Sequence, residues 1–305
     1  MKKITIIGPG RVGESTAQII AKTELCRALV LLGRQAGKAK GIALDIQESA
    51  PLFRFDTRVS GGADPAAMVD SDLVIFTAGL PRKPGMSRSD LVDANLGVLR
   101  EAVDNVMRHA PNALLLIVTN PVDVLTYHAW RQTGWGRHRV LGLSGVLDSA
   151  RMASFIAHET GFSVKDIATL VIGGHGDAMV PLTRYAGING IPISQFLDTE
   201  TIDRVIEKTR QGGAEILALK ESSSAYDSPA ASVAAMVDAM ARNRRRILPC
   251  VAILDGEYGE RDIAMGVPII LAGNGVERVI ELPLTSGESV ALARSIAQLR
   301  ETLGQ

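Results

Sequence analysis

Lys3 to Ile20 reads K-I-T-I-I-G-P-G-R-V-G-E-S-T-A-Q-I-I, and its two halves obey different periodicities. Ile4 to Ile7 is short, β-branched and almost wholly apolar, which suits a strand buried on both faces. Val12, Thr16, Ile19 and Ile20 then recur at helical spacing. Between them Gly8-Pro9-Gly10-Arg11-Val12-Gly13 supplies G-x-G-x-x-G. In such a turn the first glycine permits the bend, the second lets a pyrophosphate approach the backbone, and the third lets helix and strand pack closely. The helix start adds free N–H groups and partial positive charge, which favour an anion. Glycine-rich turns also arise from packing alone. Set between a buried strand and an amphipathic helix, this one points to a dinucleotide site.

The next segments repeat the strand–helix alternation. Ala28–Leu32 reads as a second strand, residues 37–49 as a helix closed by Pro51, residues 58–60 as a strand, and residues 72–77 as a fourth strand. A helix over 90–109, a strand over 113–118 and a strand over 139–143 complete six strands, implying a parallel sheet with helices on both faces. Dinucleotide folds place an acid about 20 residues past the glycines to bind the adenosine ribose. Here that place holds Gly33, followed by Arg34. A missing carboxylate removes the repulsion a 2′-phosphate would meet, and a guanidinium can pair with it, so NADP(H) is expected to serve at least as well as NAD(H). The plainer reading makes Gly33 a turn and Arg34 a solvated charge.

Two loops follow strand ends, where open α/β sheets bind ligands. Residues 78–90, A-G-L-P-R-K-P-G-M-S-R-S-D, are rich in Gly and Pro and carry three cations. Thr119-Asn120-Pro121-Val122-Asp123 offers an amide that can cap a helix or meet a ligand. In the second half Asp148 and Arg151, three apart on a helix over 146–160, share one face, the ordinary pattern of a surface ion pair. A strand over 168–172 ends in Gly173-Gly174-His175-Gly176-Asp177, whose glycines leave an imidazole open to a ligand. Gly212-Gly213 interrupts a long amphipathic helix, where another backbone is expected to approach, and a helix over 228–240 follows. Arg242 and Arg244 to Arg246 read as a solvated face or subunit contact. Strands are expected over 250–254, 268–271 and 276–281, with Asn274-Gly275 as a hairpin turn and Thr285 to Glu288 as a capping box.

Composition narrows the classes. The 305 residues are 46% hydrophobic and 22% charged, with zero formal net charge, so no global field draws the chain to nucleic acid or a membrane. Cys26 and Cys250 make no disulfide framework. No apolar run approaches 18 residues and the first residues enter a strand at once, so a cytoplasmic protein is expected. No His/Cys/Asp cluster has metal-ligand spacing.

Five motifs in order, I-G-P-G-R-V-G, A-G-L-P-R-K-P-G-M-S-R-S-D-L, T-N-P-V-D, L-D-S-A-R and G-G-H-G-D, resemble the lactate/malate dehydrogenase family over essentially the whole chain. Within it the match is to the lactate-dehydrogenase-like malate dehydrogenases. The resemblance implies a Rossmann-type doubly wound parallel sheet over 1–144 and an α+β catalytic domain over 145–305. It implies His175 as acid/base with Asp148 as its partner, and Arg151 as the clamp on the substrate carboxylate. Arg88 would polarise the carbonyl, Asn120 would touch substrate and cofactor, and Ala225 would be the small residue opposite the substrate. Gly8, Pro9, Gly10, Arg11, Val12, Gly13, Gly33, Arg34, Asn95, Val118, Thr119 and Asn120 would line NAD or NADP. Arg82 stands where malate enzymes carry arginine and typical lactate enzymes an amide, implying a dicarboxylate substrate. A homodimer or homotetramer is implied too.

These residue types suit 2-oxo acid chemistry. The proton on the carbonyl oxygen calls for a group titrating near neutrality, such as imidazole. An aspartate on the far ring nitrogen fixes the tautomer, and a guanidinium grips a carboxylate at two points. Three other readings are weaker. A lactate or other 2-hydroxy-acid dehydrogenase conflicts with Arg82, an NAD-dependent glycosidase needs a metal site, and a nucleotide sensor needs neither His175 nor Asp148.

Overall fold

The structure, a computed structural model, describes residues 1–80, 88–221 and 223–304, with the backbone but not the side chains of 88 and 89. Strands β1 (Lys3–Ile7), β2 (Ala28–Leu32), β3 (Arg58–Gly62), β4 (Leu73–Phe76), β5 (Leu114–Ile117) and β6 (Val140–Gly142) form a parallel array in the order 3-2-1-4-5-6. Helices α1 (Arg11–Lys22), α2 (Ala36–Glu48), α3 (Ala50–Phe53), α4 (Arg88–His109) and α5 (Val122–Thr133) connect them. Pro51 does not end a helix as expected. It lies in the first turn of α3, where its missing N–H costs nothing.

Alternation along each strand explains the two layers. Ile4, Ile6, Leu73, Ile75, Leu114 and Leu116 pack with Ala17 and Ile20 of α1 on one face. Val74, Phe76, Leu115 and Ile117 pack with Leu99, Val103 and Val106 of α4 on the other. Both faces are covered, so the strands read as continuous apolar runs.

The second half contains α6 (Gly145–Thr160), α7 (Thr199–Lys220), α8 (Asp227–Ala241) and α9 (Ser286–Leu303). Its short strands β7 (Ile167–Ala168), β8 (Val171–Ile172), β9 (Val180–Pro181), β10 (Gly187–Ile188) and β11 (Ile191–Pro192) make two small sheets, ordered β11-β10-β7 and β8-β9. The strand expected over 168–172 is therefore two strands in different sheets. The long strands β12 (Arg246–Asp255), β13 (Arg261–Ala272) and β14 (Gly275–Val279) extend the parallel array antiparallel, giving nine strands in the order β14-β13-β12-β6-β5-β4-β1-β2-β3. The turn at Gly273 to Gly275 joins β13 to β14, with Gly275 at φ 93. Thr285 and Glu288 form the capping box of α9. Arg242 and Arg244 pair with Asp238, and Arg245 with Glu277, so the basic cluster is largely neutralised in place.

β12 meets β6 at one register pair, Val251 with Gly142. A Cβ at Gly142 would overlap the Thr126 hydroxyl and stand 2.9 Å from Val122 Cγ2 and 3.0 Å from Val251 Cβ. Gly142→Ala is therefore expected to destabilise the protein by about 1–3 kcal/mol in urea unfolding, the scale of overpacking. Gly62→Ala, whose added methyl meets nothing within 4 Å, should be nearly neutral. An unchanged midpoint in Gly142→Ala would contradict the close junction.

Candidate active site

The strand order reverses between β1 and β4, and beyond the carboxyl ends of β1, β4, β5 and β6 lies the place where open α/β sheets form a ligand crevice. Gly8 follows β1 at φ 93, and a Cβ there would collide with the Ala78 backbone. A Cβ at Gly13 would lie 2.6 Å from the Gly8 carbonyl and 2.8 Å from Thr77 Oγ1. A Cβ at Gly10 would meet nothing within 4 Å among the described residues. Two glycines thus serve packing and the middle one leaves open approach, in front of an α1 start with no side-chain cap. Pro9 is buried against Gly33, and Val12 is half-buried beside the turn. Arg11 lies 5.7 Å from the Tyr226 ring centroid, and Lys220 Nζ 3.8 Å from the same centroid. This geometry fits a dinucleotide diphosphate.

At the end of β2, Gly33 N–H donates to the Gly62 carbonyl. Arg34 and Lys38 are exposed, and α2 begins without a side-chain cap or an acid in its first turn. Asn95 is buried and ties two crevice loops together. It accepts from Leu80 N–H at 2.7 Å and donates to the Asn120 carbonyl at 2.9 Å. Thr119 donates to the Ala78 carbonyl at 2.8 Å. Val118 is half-buried, and the exposed Asn120 accepts weakly from Val122 N–H at 3.4 Å. Arg82 and the Arg88 side chain lie outside the described residues.

Residues 173–177 follow β8 and are pinned from three elements. Gly173 N–H donates to the Gly266 carbonyl of β13, Gly174 N–H to Ser295 Oγ of α9, and His175 N–H to Asp123 Oδ2 of α5 at 2.9 Å. The ring is fixed separately, with Nδ1 2.8 Å from Asp148 Oδ2. Among the described residues Nε2 has no protein partner, and the side chain is 14% exposed. Because Asp123 starts the helix after the Thr119-Asn120 loop, His175 is held at the crevice. Asp148 is 1% exposed, so its pairing with Arg151 Nη1 at 3.3 Å is a buried arrangement, not the surface pair the spacing implied.

The Gly212-Gly213 pair departs from expectation in a useful way. α7 runs through it unbroken, and what approaches is a side chain, not a backbone. A Cβ at Gly212 would lie 3.5 Å from Arg151 Cδ, and one at Gly213 3.7 Å from both terminal nitrogens. The glycines clear a channel for the guanidinium.

Electrostatics separate the roles. Burial disfavours a charged His175, but the Asp148 charge and hydrogen bond, with the Asp123 charge, outweigh it and raise its pKa above 6.5. Burial lowers the Arg151 pKa, and Asp148 opposes this. Burial pushes Asp123 up to about 6 against the His175 N–H and charge. Asp123, Ser295 and Tyr226 were not singled out from sequence. Asp123 closes the T-N-P-V-D motif and had a signal. Ser295 lies 121 residues from Gly174 and had none.

Residues 2–142 match the model of the lactate/malate dehydrogenase NAD binding domain, and residues 145–305 that of the family's alpha/beta C-terminal domain. This chain belongs to the lactate/malate dehydrogenase family. Among relatives, a malate dehydrogenase of Nitrosococcus oceani is 62% identical over 99% of this chain and 97% of its own. One of Thioalkalivibrio sulfidiphilus is 62% identical over 100% and 99%. The apo malate dehydrogenase of Picrophilus torridus superposes with a TM-score of 0.97 at 37% identity, covering 99% of this chain and 96% of that one. A Cryptosporidium parvum lactate dehydrogenase complexed with lactic acid and β-nicotinamide adenine dinucleotide gives 0.96 at 36% identity, covering 99% and 97%.

The Arg151 channel makes a prediction for this family member. Gly213→Leu should displace the guanidinium and, with Arg151 as the carboxylate clamp that the family resemblance implies, raise KM for a 2-oxo acid about tenfold or more, on the scale of one charged hydrogen bond. Gly213→Ala should leave it nearly unchanged, since its methyl makes only ordinary contact. Equal KM values for the two variants would contradict the channel.

Proposed function

We propose that the chain is a malate dehydrogenase, interconverting malate and oxaloacetate by hydride exchange with a nicotinamide dinucleotide. The observation that carries the reading is one buried carboxylate, Asp148, bonded at once to His175 Nδ1 and Arg151 Nη1. That bridge aims a proton-carrying nitrogen and a carboxylate-binding guanidinium into one crevice. His175 Nε2 gives its proton to the carbonyl oxygen in reduction and retakes it in oxidation. Arg151 holds the substrate's first carboxylate and so fixes which carbonyl face is presented. Bound nicotinamide supplies or accepts the hydride.

Asn120, Val118 and Thr119 line its end of the crevice, and the Gly8–Gly13 turn receives the diphosphate. Asn95 holds the loops that frame both. Arg88 polarises the carbonyl and Arg82 meets the second carboxylate. Burying that carboxylate without a partner would be strongly unfavourable, and Arg82 facing a methyl would be an unpaired cation. Residues 1–144 carry the cofactor and 145–305 the substrate machinery, in a cytoplasmic homodimer or homotetramer.

The same reading extends to NADP(H). It is supported by Gly33 in place of an acid and by the exposed Arg34 and Lys38 beside the uncapped start of α2.

Initial rates with oxaloacetate and pyruvate, each with NADH and NADPH, test the substrate and cofactor assignments. Oxaloacetate should exceed pyruvate by orders of magnitude in kcat/KM, and Arg82→Gln should shift the ratio toward pyruvate. An unaltered ratio would show the substrate assignment to be wrong. NADPH should match or exceed NADH, and Arg34→Ala should lower kcat/KM for NADPH about tenfold, one charge-assisted hydrogen bond. A clear NADH preference would count against NADP(H).

pH dependence follows from the raised imidazole. Reduction needs the protonated ring, so it should persist at pH 6.5 and fall as pH rises through the elevated pKa, while malate oxidation rises over that range. Single-turnover rates across pH would refute this if reduction already declined below pH 6.5.

A further inference from the structure

Asp123 has no role in the reaction as described so far, yet its environment is costly. It sits in the first turn of α5, 4% exposed, with Oδ2 accepting the His175 N–H at 2.9 Å. Among the described residues Oδ1 is buried and has no hydrogen-bond partner. A site that needed only an acceptor for one amide would be served by a neutral side chain, without an ionisable group held out of water.

The charged groups facing the imidazole explain what the carboxylate adds. Asp148 and Arg151 come from α6, and Asp123 comes from α5. The other two elements that pin the loop contribute neutral groups, the Gly266 carbonyl and the Ser295 hydroxyl. Asp148 and Arg151 cancel one another, so an imidazolium beside that pair alone would be a single uncompensated buried cation. Among the described residues, with Asp123 ionised this group of four is neutral when His175 is protonated and carries one negative charge when it is not.

We propose that Asp123 is a positioning residue for His175, fixing its backbone through one oxygen and supplying the counter-charge that keeps the imidazole protonated until a carbonyl oxygen takes the proton. Asp148 orients the ring, and Asp123 sets its proton affinity from the backbone side. Burial pushes Asp123 up to about 6, while the charges of Asp148 and Asp123 raise His175, so the two ionisations are coupled through the bond between them.

Asp123→Asn tests this, because an amide oxygen still accepts the His175 N–H while the charge is gone. In apo protein, NMR of the His175 imidazole should show its acid constant rising about tenfold, a downward shift of one pH unit. The limb of malate oxidation in kcat/KM should move down by the same amount, with KM for malate little changed. An unmoved imidazole and profile, with rates lowered uniformly, would mean that Asp123 only braces the loop, and would overturn the proposal. Wild-type protein gives a second reading that needs no variant. Its His175 resonance should follow two ionisations, and a single-group curve would overturn the proposal even if Asp123→Asn failed to fold. The inference rests on His175 as proton donor, but the NMR arm reads the ring without turnover. An inactive protein with the predicted imidazole shift would sink the proposed reaction alone, and an active one with an unmoved imidazole would sink this inference alone.

Discussion

Asp148 occupies an environment in which a carboxylate is tolerated only with partners for both oxygens, and its partners are the two groups that would meet a 2-oxo acid. Removing one member of such a buried pairing typically costs about 3–5 kcal/mol, because a charge is then left without compensation. The aspartate therefore couples the orientation of the imidazole to that of the guanidinium. Neither can rotate away without leaving an oxygen of Asp148 bare. Through that one side chain, a helix of the second half holds an imidazole and a guanidinium in fixed relation, the pair the proposed reaction uses as acid/base and anion clamp.

Close backbone approach is the other constraint, and it is met by glycine at positions far apart in sequence. Gly8 and Gly13 let α1, β1 and the loop after β4 converge, while a Cβ at Gly10 would meet none of the described residues. Gly266 lets β13 touch the His175 loop, where a Cβ would stand 2.6 Å from the Gly173 carbonyl. Gly142 lets β12 join β6, so strands from the end of the chain continue the sheet that begins with Lys3. The His175 loop is thereby pinned to the same sheet that carries the glycine-rich turn.

Much of this could be read from the residues alone. Ile4 to Ile7, the G-x-G-x-x-G turn and the alternation through Leu143 have local signatures, and six parallel strands covered by helices follow from them; their order across the sheet does not, and is seen only in the structure. The pairing of Asp148 with Arg151 was legible from their spacing, but its burial was not, since a separation of three says nothing about which way that face points. The attachment of β12–β14 to β6 also escaped notice, because antiparallel addition at a sheet edge depends on register pairs more than 100 residues apart. Gly212-Gly213 differs from its sequence expectation for a related reason. Sequence shows that space has been cleared, but only packing shows that the Arg151 side chain fills it. Ser295, a serine inside an amphipathic helix, carries no mark of the loop amide it receives.

A diffraction study of the protein with oxidised cofactor and tartronate, a dicarboxylate bearing the reacting hydroxyl, would test the central claim most directly. The account places one tartronate carboxylate against Arg151 and its hydroxyl within about 2.6–3.2 Å of His175 Nε2, the reach of proton transfer. A ligand bound elsewhere in the crevice, with His175 Nε2 turned into packed interior or bonded to another protein group, would contradict it.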